Sequence, residues 1–320
     1  MRFATLPNGT PDGRLHIVSR DNSRCAPCAA APTLQSALEQ WDALSAALRA
    51  EYDALNAGGG QAFDASAALA PLPRAWQWLD GSAFESHGDL MDAVFGFDKQ
   101  EQTGRPLMYQ GISDRFLAPC EDAPMPTEAD GIDFEGEFGV ICKATPMGTK
   151  DAAHDHIALV VQINDWSLRK LAPIEMKTGF GWVQAKPACS MAPVAITPDE
   201  LGDAWRDARV DLPLNVSWNG NHFGAPNGYH MGFGFDQLVA HAAYSRNLVA
   251  GTVIGSGTVS NANFREIGSA CIAERRGIET LDKGAAETPF MSYGDTVTME
   301  CRATDGSPLF GVISQKVIPA

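Results

Sequence analysis

The chain has 320 residues, of which 45% are hydrophobic and 20% are charged, and its formal net charge at pH 7 is −15. This composition is typical of a globular protein with one large core or two domains, and the negative charge argues against nucleic acid or an anionic membrane surface as a partner. No apolar run is long enough to span a bilayer, and residues 1–9 lack the apolar segment of a secretory signal, so we expect a cytoplasmic protein.

Residues 1–75 are predicted to form a small N-terminal α+β domain. Asn-Gly and Asp-Gly pairs at positions 8–9 and 12–13 predict hairpin turns, followed by a strand at Leu15–Val18. Thr33 is a candidate N-cap for a single helix that continues to Leu55 with apolar residues at three- and four-residue steps, and three glycines at 58–60 end it. Residues 61–75 are rich in Ala and Pro, which places a domain boundary between 75 and 76.

Residues 76–320 predict a β-rich domain with few helices. The predicted helices are Glu85–Val94, Asp199–Arg206 and Phe235–Ser245. The predicted strands are Ile157–Asn164, Leu212–Trp218, Thr252–Ser256, Ala270–Glu274, Thr296–Arg302 and Phe310–Val317. Because no regular helical crossovers separate these strands, we expect a mixed, mostly antiparallel β-rich (α+β) fold rather than a doubly wound sheet.

The stretch Ile132–Cys142 concentrates acidic residues. As one strand it would place Asp133, Glu135 and Glu137 on one face, with phenylalanines on the other. Such a face is either solvated or holds a hard divalent cation, which prefers oxygen ligands. A cation would need further ligands from elsewhere in the chain.

Asp165 follows the apolar run 156–161 and is one candidate partner. It is either the N-cap of a following helical turn or a third oxygen ligand. Arg169, four residues on, would share a side of that turn with Asp165 and could bind a substrate carboxylate.

A second candidate region contains Asp80, Ser82 and His87. These residues flank a predicted helix start, so Asp80 and Ser82 could instead be capping residues and His87 a surface residue. The glycine-rich turn 255–261, which includes Thr258, could bring backbone amides near an anion. Lys186 lies in an apolar stretch where a buried ammonium would need a negative partner.

Taken in order, these segments resemble the fumarylacetoacetate hydrolase family over residues 76–320. The most specific pieces are Asp133-Phe134-Glu135-Gly136-Glu137, Asn164-Asp165-Trp166-Ser167-Leu168-Arg169 and Gly257-Thr258, supported by Leu107–Gly111, Lys186 and Gln315–Ile318. The N-terminal part is similar to the small leading domain of longer members. The resemblance implies a β-roll or sandwich catalytic domain and a homodimer.

The resemblance also implies roles for individual residues. The metal ligands would be Asp80, Glu135, Glu137 and Asp165, which demotes Asp133 to a neighbour. The catalytic residues would be His87, Lys186 and Glu274, with Glu266 and Glu85 as alternative partners of the histidine. The substrate-binding residues would be Tyr109, Arg169, Thr258 and Ser82. Carboxylate ligands suit Mg²⁺ or Ca²⁺, with Mn²⁺ as another candidate.

The implied activity is metal-dependent hydrolysis of a carbon–carbon bond in fumarylacetoacetate-like or acylpyruvate diketo acids, as in aromatic amino-acid catabolism. His87 would activate water, and the cation would stabilise the enolate that leaves. The alternative is a hydratase, isomerase or decarboxylase acting on 2-oxo acids. Two departures concern the substrate: Ala172 stands where members that cleave fumarylacetoacetate have Gln, and Ser82 where they have Tyr.

Overall fold

The computed structural model describes residues 1–95, 104–150 and 153–320, which form a mixed α and β fold around two large sheets. The strands are β1 Arg2–Leu6, β2 Arg14–Val18, β3 Arg24–Pro27, β4 Gln61–Ala62, β5 Trp78–Ser82, β6 Leu107–Gly111, β7 Ala123–Met125, β8 Ile132–Asp133, β9 Gly136–Cys142, β10 Ile157–Asn164, β11 Ser167–Leu168, β12 Ser190–Met191, β13 Ala195–Ile196, β14 Trp205–Arg206, β15 Arg209–Val210, β16 Leu214–Trp218, β17 Asn221–Gly224, β18 Val253–Gly255, β19 Thr296–Arg302 and β20 Pro308–Pro319. The α-helices are α1 Leu34–Glu39, α2 Trp41–Ala57, α3 Glu85–Phe95, α4 Ala172–Met176, α5 Phe235–Ala242, α6 Phe264–Ile267 and α7 Ile272–Lys283.

The larger sheet has eleven strands and runs through both halves of the chain. Its order is β4-β3-β2-β1-β13-β10-β9-β18-β5-β6, with β12 paired to β10. All of its pairings are antiparallel except that of β18 with β5. The second sheet has the order β17-β16-β19-β20-β7, and only β20 and β7 are parallel. The predicted mixed, mostly antiparallel β-rich fold is confirmed.

Two apolar layers cover the larger sheet. One lies between the two large sheets, where the rings of Phe138 and Phe310 have centroids 6.0 Å apart. The other packs the N-terminal helices against the opposite face and includes Tyr52 and Ile163. Every residue of β9 and β10 is therefore buried, including the acidic Glu137.

The predicted strand Ile132–Cys142 is interrupted. β8 pairs with β11 and ends at Asp133, whereas β9 begins at Gly136 and pairs with β10 and β18. The prediction of one continuous strand is wrong because the chain changes partners at the break. The solvated-face alternative is also wrong, since Asp133, Glu135 and Glu137 are at most 5% exposed.

Several helix predictions need correction. The helix predicted from Thr33 to Leu55 is divided at Gln40 into α1 and α2, although Thr33 caps α1 as expected. The helix predicted at Asp199–Arg206 is a 3₁₀ segment, Pro198–Ala204, because Gly202 adopts φ 54° and ends regular helical geometry. Glu85–Val94 and Phe235–Ser245 correspond to α3 and α5. In the described part of the chain, no helix has the length and apolarity needed to cross a membrane.

The strand predicted at Ala270–Glu274 is wrong. Cys271 is instead the N-cap of α7, and its Sγ accepts a hydrogen bond from the Glu274 amide at 3.3 Å. The Asp133 carboxylate, 139 residues earlier in the chain, accepts from the amides of Ile272 and Ala273 at 2.8 and 2.9 Å. These contacts satisfy free amides at the helix start and place Glu274 in the first turn.

Candidate metal centre and active site

Three carboxylates from three segments of the larger sheet meet below its surface. Asp80 lies on β5, Glu137 on β9 and Asp165 directly after β10, and ligand oxygens of all three lie within 4.8 Å of one another. β18 runs between β5 and β9 and contributes Gly255 at this point. A Cβ atom on Gly255 would lie 2.3 Å from Asp80 Oδ1 and 2.9 Å from Glu137 Oε2, so only glycine leaves room for both carboxylates.

Among the described residues, Lys186 is the one cation that forms an ion pair with these three carboxylates, and of the three it contacts only Asp165. Neither oxygen of Glu137 accepts a hydrogen bond from a described residue. Burial, together with the charges of Asp80 and Asp165, raises the pKa of Glu137 well above its usual value. Burial and Asp165 likewise raise the pKa of Asp80. An all-oxygen group with unpaired buried carboxylate oxygens fits a hard divalent cation such as Mg²⁺, Mn²⁺ or Ca²⁺.

Glu135 is the fourth predicted metal ligand, but it is not a member of this three-carboxylate group. Its Oε1 accepts hydrogen bonds from Lys186 Nζ at 2.7 Å and Ser167 Oγ at 2.6 Å, and its Oε2 accepts one from Thr258. Burial would raise the pKa of Glu135, but Arg169 and Lys186 outweigh burial and hold that pKa below its usual range. The structure therefore shows Glu135 paired with cationic side chains.

Lys186 bridges Glu135 and the three-carboxylate group. Its ammonium is buried and donates to Glu135, to Asp165 Oδ2 at 2.6 Å and to Ser167 Oγ at 2.8 Å. Burial would lower the pKa of Lys186, but Asp165 and Glu135 raise it above its usual value. An ammonium has three N–H donors, and all three are used within the protein. This arrangement confirms that Lys186 has negative partners.

Arg169 lies beside the acidic residues of the interrupted strand. Its Nε donates to Asp133 Oδ2 at 2.7 Å, and its Nη2 lies 3.0 Å from Glu135 Oε1. The predicted helical turn from Asp165 to Arg169 is wrong, as is the N-cap alternative for Asp165, because residues 167–168 form β11. Asp133, which was demoted to a neighbour, thus connects Arg169 to the start of α7.

His87 and Glu274 lie together at a second part of the site. His87 is on α3, and its Nδ1 is 3.5 Å from Oε1 of Glu274, which is fully buried on α7. Ser260 Oγ donates to the same carboxylate oxygen at 2.5 Å, which fixes its position. The alternatives Glu85 and Glu266 are exposed. Geometry therefore favours Glu274 as the carboxylate that orients His87.

The segment that follows β18 connects the two parts of the site. The Gly257 amide donates to Asp80 Oδ1 at 3.1 Å, the Thr258 hydroxyl donates to Glu135, and Ser260 contacts Glu274. Three residues of one turn thus contact the carboxylate group, Glu135 and the histidine's partner. Gly257 has φ 77°, and a Cβ there would lie 2.3 Å from the Gly81 carbonyl oxygen, so this position requires glycine.

Aromatic residues border the site on the side of β6. Tyr109 donates its hydroxyl to Asp165 Oδ2 at 2.7 Å, and its ring stacks on Trp182 with centroids 5.6 Å apart. Lys186 Nζ lies 5.3 Å and 5.5 Å from the centroids of these two rings. The aromatic pair therefore restricts the access of water to Lys186. Ser82, the last residue of β5, is exposed.

Two protein-family models match this chain, and together they cover almost its whole length. The model described as "Fumarylacetoacetate (FAA) hydrolase C-terminal" matches residues 77–318, which is more than two thirds of the chain. The chain belongs to the fumarylacetoacetate hydrolase family. A second model, "Fumarylacetoacetase N-terminal domain 2", matches residues 1–74.

Curated relatives in the fumarylacetoacetate hydrolase family include more than one activity. A fumarylacetoacetase from Emericella nidulans is 30% identical over 200 residues, covering 53% of this chain and 46% of the relative. The human fumarylacetoacetase is 27% identical and covers 52% and 46%. A mitochondrial oxaloacetate tautomerase from Rattus norvegicus is 25% identical and covers 50% and 51%. The chain thus spans about half the length of these relatives.

Solved structures share the fold over the full chain. A maleylpyruvate hydrolase from Sphingobium sp. SYK-6, in complex with manganese(II) ion and pyruvate, superposes with a TM-score of 0.67 at 15% identity, covering 100% of both chains. A 5-carboxymethyl-2-hydroxymuconate delta-isomerase from Mycobacterium smegmatis has a TM-score of 0.63 at 16% identity, with the same coverage. The family fold therefore supports both hydrolases and isomerases.

Sequence reasoning missed four residues of this fumarylacetoacetate hydrolase family site. Ser167 and Ser260 donate to the site carboxylates, Trp182 stacks on Tyr109, and Cys189 Sγ donates to Asp165 Oδ1 at 2.9 Å. Ser167 was within reach of prediction, because it lies two residues from Asp165 in the motif. Ser260 lies in the glycine-rich turn 255–261 that was a candidate, whereas Trp182 and Cys189 come from segments that carry no local signal of a site.

Proposed function

We propose that this chain is a metal-dependent hydrolase that cleaves a carbon–carbon bond in acylpyruvate or fumarylacetoacetate-like diketo acids. The observation that carries this proposal is the buried group of Asp80, Glu137 and Asp165 with its unpaired oxygens, connected through one turn to the His87–Glu274 pair. The membership of this chain in the fumarylacetoacetate hydrolase family supports an enzymatic role. Glu135 would complete the ligand set after releasing Lys186.

The divalent cation, when bound, supplies Lewis acidity that favours the enolate form of the leaving fragment. His87, oriented by Glu274, takes a proton from water, and the resulting hydroxide adds to the acyl carbonyl carbon. The carbon–carbon bond then breaks with its electron pair on the departing carbon. The proton held by His87 returns to that carbon, which gives two carboxylic acids from one substrate and one water.

The cationic side chains have complementary tasks in this scheme. Arg169 Nη2 is ion-paired with Glu135 Oε1 at 3.0 Å but makes no hydrogen bond with a described residue, and it would turn to a substrate carboxylate when Glu135 joins the ligand set. Lys186 has its three N–H donors engaged, so in this arrangement it balances the charge of Glu135 and Asp165 rather than binding an oxyanion directly. Tyr109 and Thr258 each donate to a site carboxylate and would reorient toward substrate.

The second candidate function is that of an isomerase, hydratase or decarboxylase acting on 2-oxo acids, and isomerisation is the simplest of the three because it only relocates a proton. A specific observation favours it: the His87–Glu274 pair can move a proton on a diketo acid without an attacking water. Ser82 and Ala172 stand where members that cleave fumarylacetoacetate have Tyr and Gln, so these two positions would decide which substrate fits.

An analysis of the reaction products distinguishes the two proposed functions. Protein supplied with Mn²⁺ or Mg²⁺ is incubated with acetylpyruvate and with fumarylpyruvate, and the products are resolved by chromatography. Release of two acids in equal amounts supports hydrolysis. A single product of equal or altered mass supports the second function, and no turnover of either diketo acid, with the fold intact, contradicts both.

A further inference from the structure

A second cavity lies on the opposite face of the sheet from the carboxylate group. It is an open cleft of about 540 Å³ between strands β5 and β6, the end of α5 and the turn at 148–150, and its basic residues Arg105, Lys150 and Arg246 are exposed. Leu79, Met108 and Gln110 line it and share one sheet face, because Leu79 pairs with Gln110 in the antiparallel register. Asp80, next to Leu79, points to the other face. The cavity is therefore separate from the site described above.

Basic side chains from three segments converge on this cavity. Arg105 precedes β6, Lys150 lies in the turn before β10, and His241 and Arg246 come from the end of α5 and the segment that follows it. None of the described residues that line the cavity is an aspartate or a glutamate. This cluster occurs in a chain whose net charge is −15, so it runs against the overall charge of the protein.

The cations are close enough to affect one another. Burial, and then the charge of Arg105, lower the pKa of His241. The end of a helix attracts a positive side chain, which accounts for His241 in the last turn of α5 but not for Arg105 or Lys150. Arg246 Nη1 donates to Gln110 Oε1 at 3.2 Å, so its guanidinium is held at the cavity wall with other N–H groups remaining.

Neutral donors complete the lining. Thr149, Tyr244 and Ser245 carry hydroxyls, and Gly148 carries a backbone amide that is hydrogen-bonded elsewhere, to the carbonyl of Ala243. Three permanently charged side chains (Arg105, Lys150 and Arg246), together with the His241 ring and several hydroxyls, match a ligand that has two or more negative charges distributed over oxygen atoms. A single carboxylate would leave most of the cations unpaired.

We propose that this cavity binds a small polyanion, either a di- or tricarboxylate or a phosphate-bearing compound, at a site distinct from the metal centre. Arg246 and Lys150 form charge-assisted hydrogen bonds with its oxygens, Arg105 supplies further positive charge, and His241 supplies a ring N–H donor. Tyr109 is also a lining residue, but it pairs with Asp80 and its hydroxyl contacts Asp165 on the other face, so β6 lies between this ligand and the active site.

The test is calorimetric titration of the metal-loaded protein with benzene-1,3,5-tricarboxylate, with inorganic phosphate and with acetate. We expect the tricarboxylate or phosphate to bind, with acetate much weaker, and the affinity to fall as salt is added. Stronger binding of one of the two polyanions identifies which chemistry the site recognises. Absence of binding by both polyanions at millimolar concentration, or equal binding of acetate, would overturn the proposal.

Variants locate the site. Arg246→Gln should weaken polyanion binding roughly tenfold or more, the usual loss for a charge-assisted hydrogen bond. Lys150→Gln gives a second, independent reduction should the first variant fold poorly. Arg302→Gln is the matched control. Arg302 is exposed, pairs with Glu300 and does not line the cavity, so this variant should leave the affinity unchanged. Glu137→Gln should bind the polyanion as the wild type does, because Glu137 does not line the cavity. Loss of polyanion binding in Glu137→Gln would show that the polyanion binds at the metal centre. Unchanged binding in both Arg246→Gln and Lys150→Gln would show that it does not bind in this cavity.

Discussion

Replacing Glu137 with glutamine should stabilise the metal-free protein and weaken its response to metal. Glu137 is fully buried, and its oxygens lie with those of Asp80 and Asp165 in a group no wider than 4.8 Å. At that separation two like charges repel by about 3 kcal/mol for an effective dielectric constant of 20. Lys186 and partial protonation offset much of this repulsion, so we expect Glu137→Gln to raise the free energy of unfolding by about 1–3 kcal/mol.

The stability difference between Glu137→Gln and the wild type should depend on pH. The pKa of Glu137 in the folded protein is raised above the ordinary 4.5 of an unfolded chain. Its ionisation therefore costs stability as pH rises above 4.5, and below that value the carboxyl is neutral in both states. The advantage of Glu137→Gln over the wild type should be largest near neutral pH and disappear as pH falls below about 4.5.

Urea unfolding with and without metal measures both effects. Wild-type protein should gain about 3 kcal/mol when the free metal concentration is a hundred times its Kd, and Glu137→Gln should gain far less. Glu287→Gln is the matched control, because Glu287 is exposed and distant from the carboxylate group in the chain. A variant that is less stable than wild type without metal, or that gains the full stabilisation with it, would refute the reasoning.

Three further substitutions test other parts of the site. His87→Ala should reduce turnover by ~10²–10⁴ while metal affinity, measured by calorimetry, is retained; an unchanged rate would move the general base elsewhere. Lys186→Met should lower the free energy of unfolding by about 3–5 kcal/mol, because Glu135 and Asp165 lose their counter-charge. Added Mn²⁺ should restore part of that loss. Equal stability of the variant with and without metal would contradict this role of Lys186. Gly255→Ala should weaken metal binding and reduce stability by about 1–3 kcal/mol, since its Cβ would come 2.3 Å from Asp80 Oδ1, and an unaffected Kd would show that the cluster tolerates a side chain there.

Local sequence pattern predicted best where a single segment determines the structure. β10 covers Ile157–Asn164, as predicted, because a segment with six apolar residues of eight needs no distant contact to favour a buried strand. Thr33 was found as an N-cap because the cap and its partner Ser36 are three residues apart. The domain boundary between 75 and 76 stays a prediction.

Predictions failed where distant residues determine the local structure. Ala270–Glu274, which includes the start of α7, was predicted as a strand because the free amides of the helix are satisfied by Asp133, which no window around residue 270 contains. The strand at 132–142 was predicted as continuous because the break follows from β8 pairing with β11 and β9 with β10. Glu137 differs from Glu135 for the same reason: two glutamates in one motif have opposite pKa shifts because only Glu135 contacts Arg169 and Lys186.

The path of the larger sheet limits how the gene could be divided. β1 pairs with β13, and β13 pairs with β10, so the first strands of the chain are bonded into the sheet that holds Glu137. Expression of residues 76–320 alone would leave β13 as an open edge and uncover the apolar layer around Ile163. Open edges of this kind pair with other chains, so such a truncated product should be recovered as aggregate. Residues 1–75 can thus be exchanged for those of another protein only if the new segment supplies a strand that pairs with β13 as β1 does.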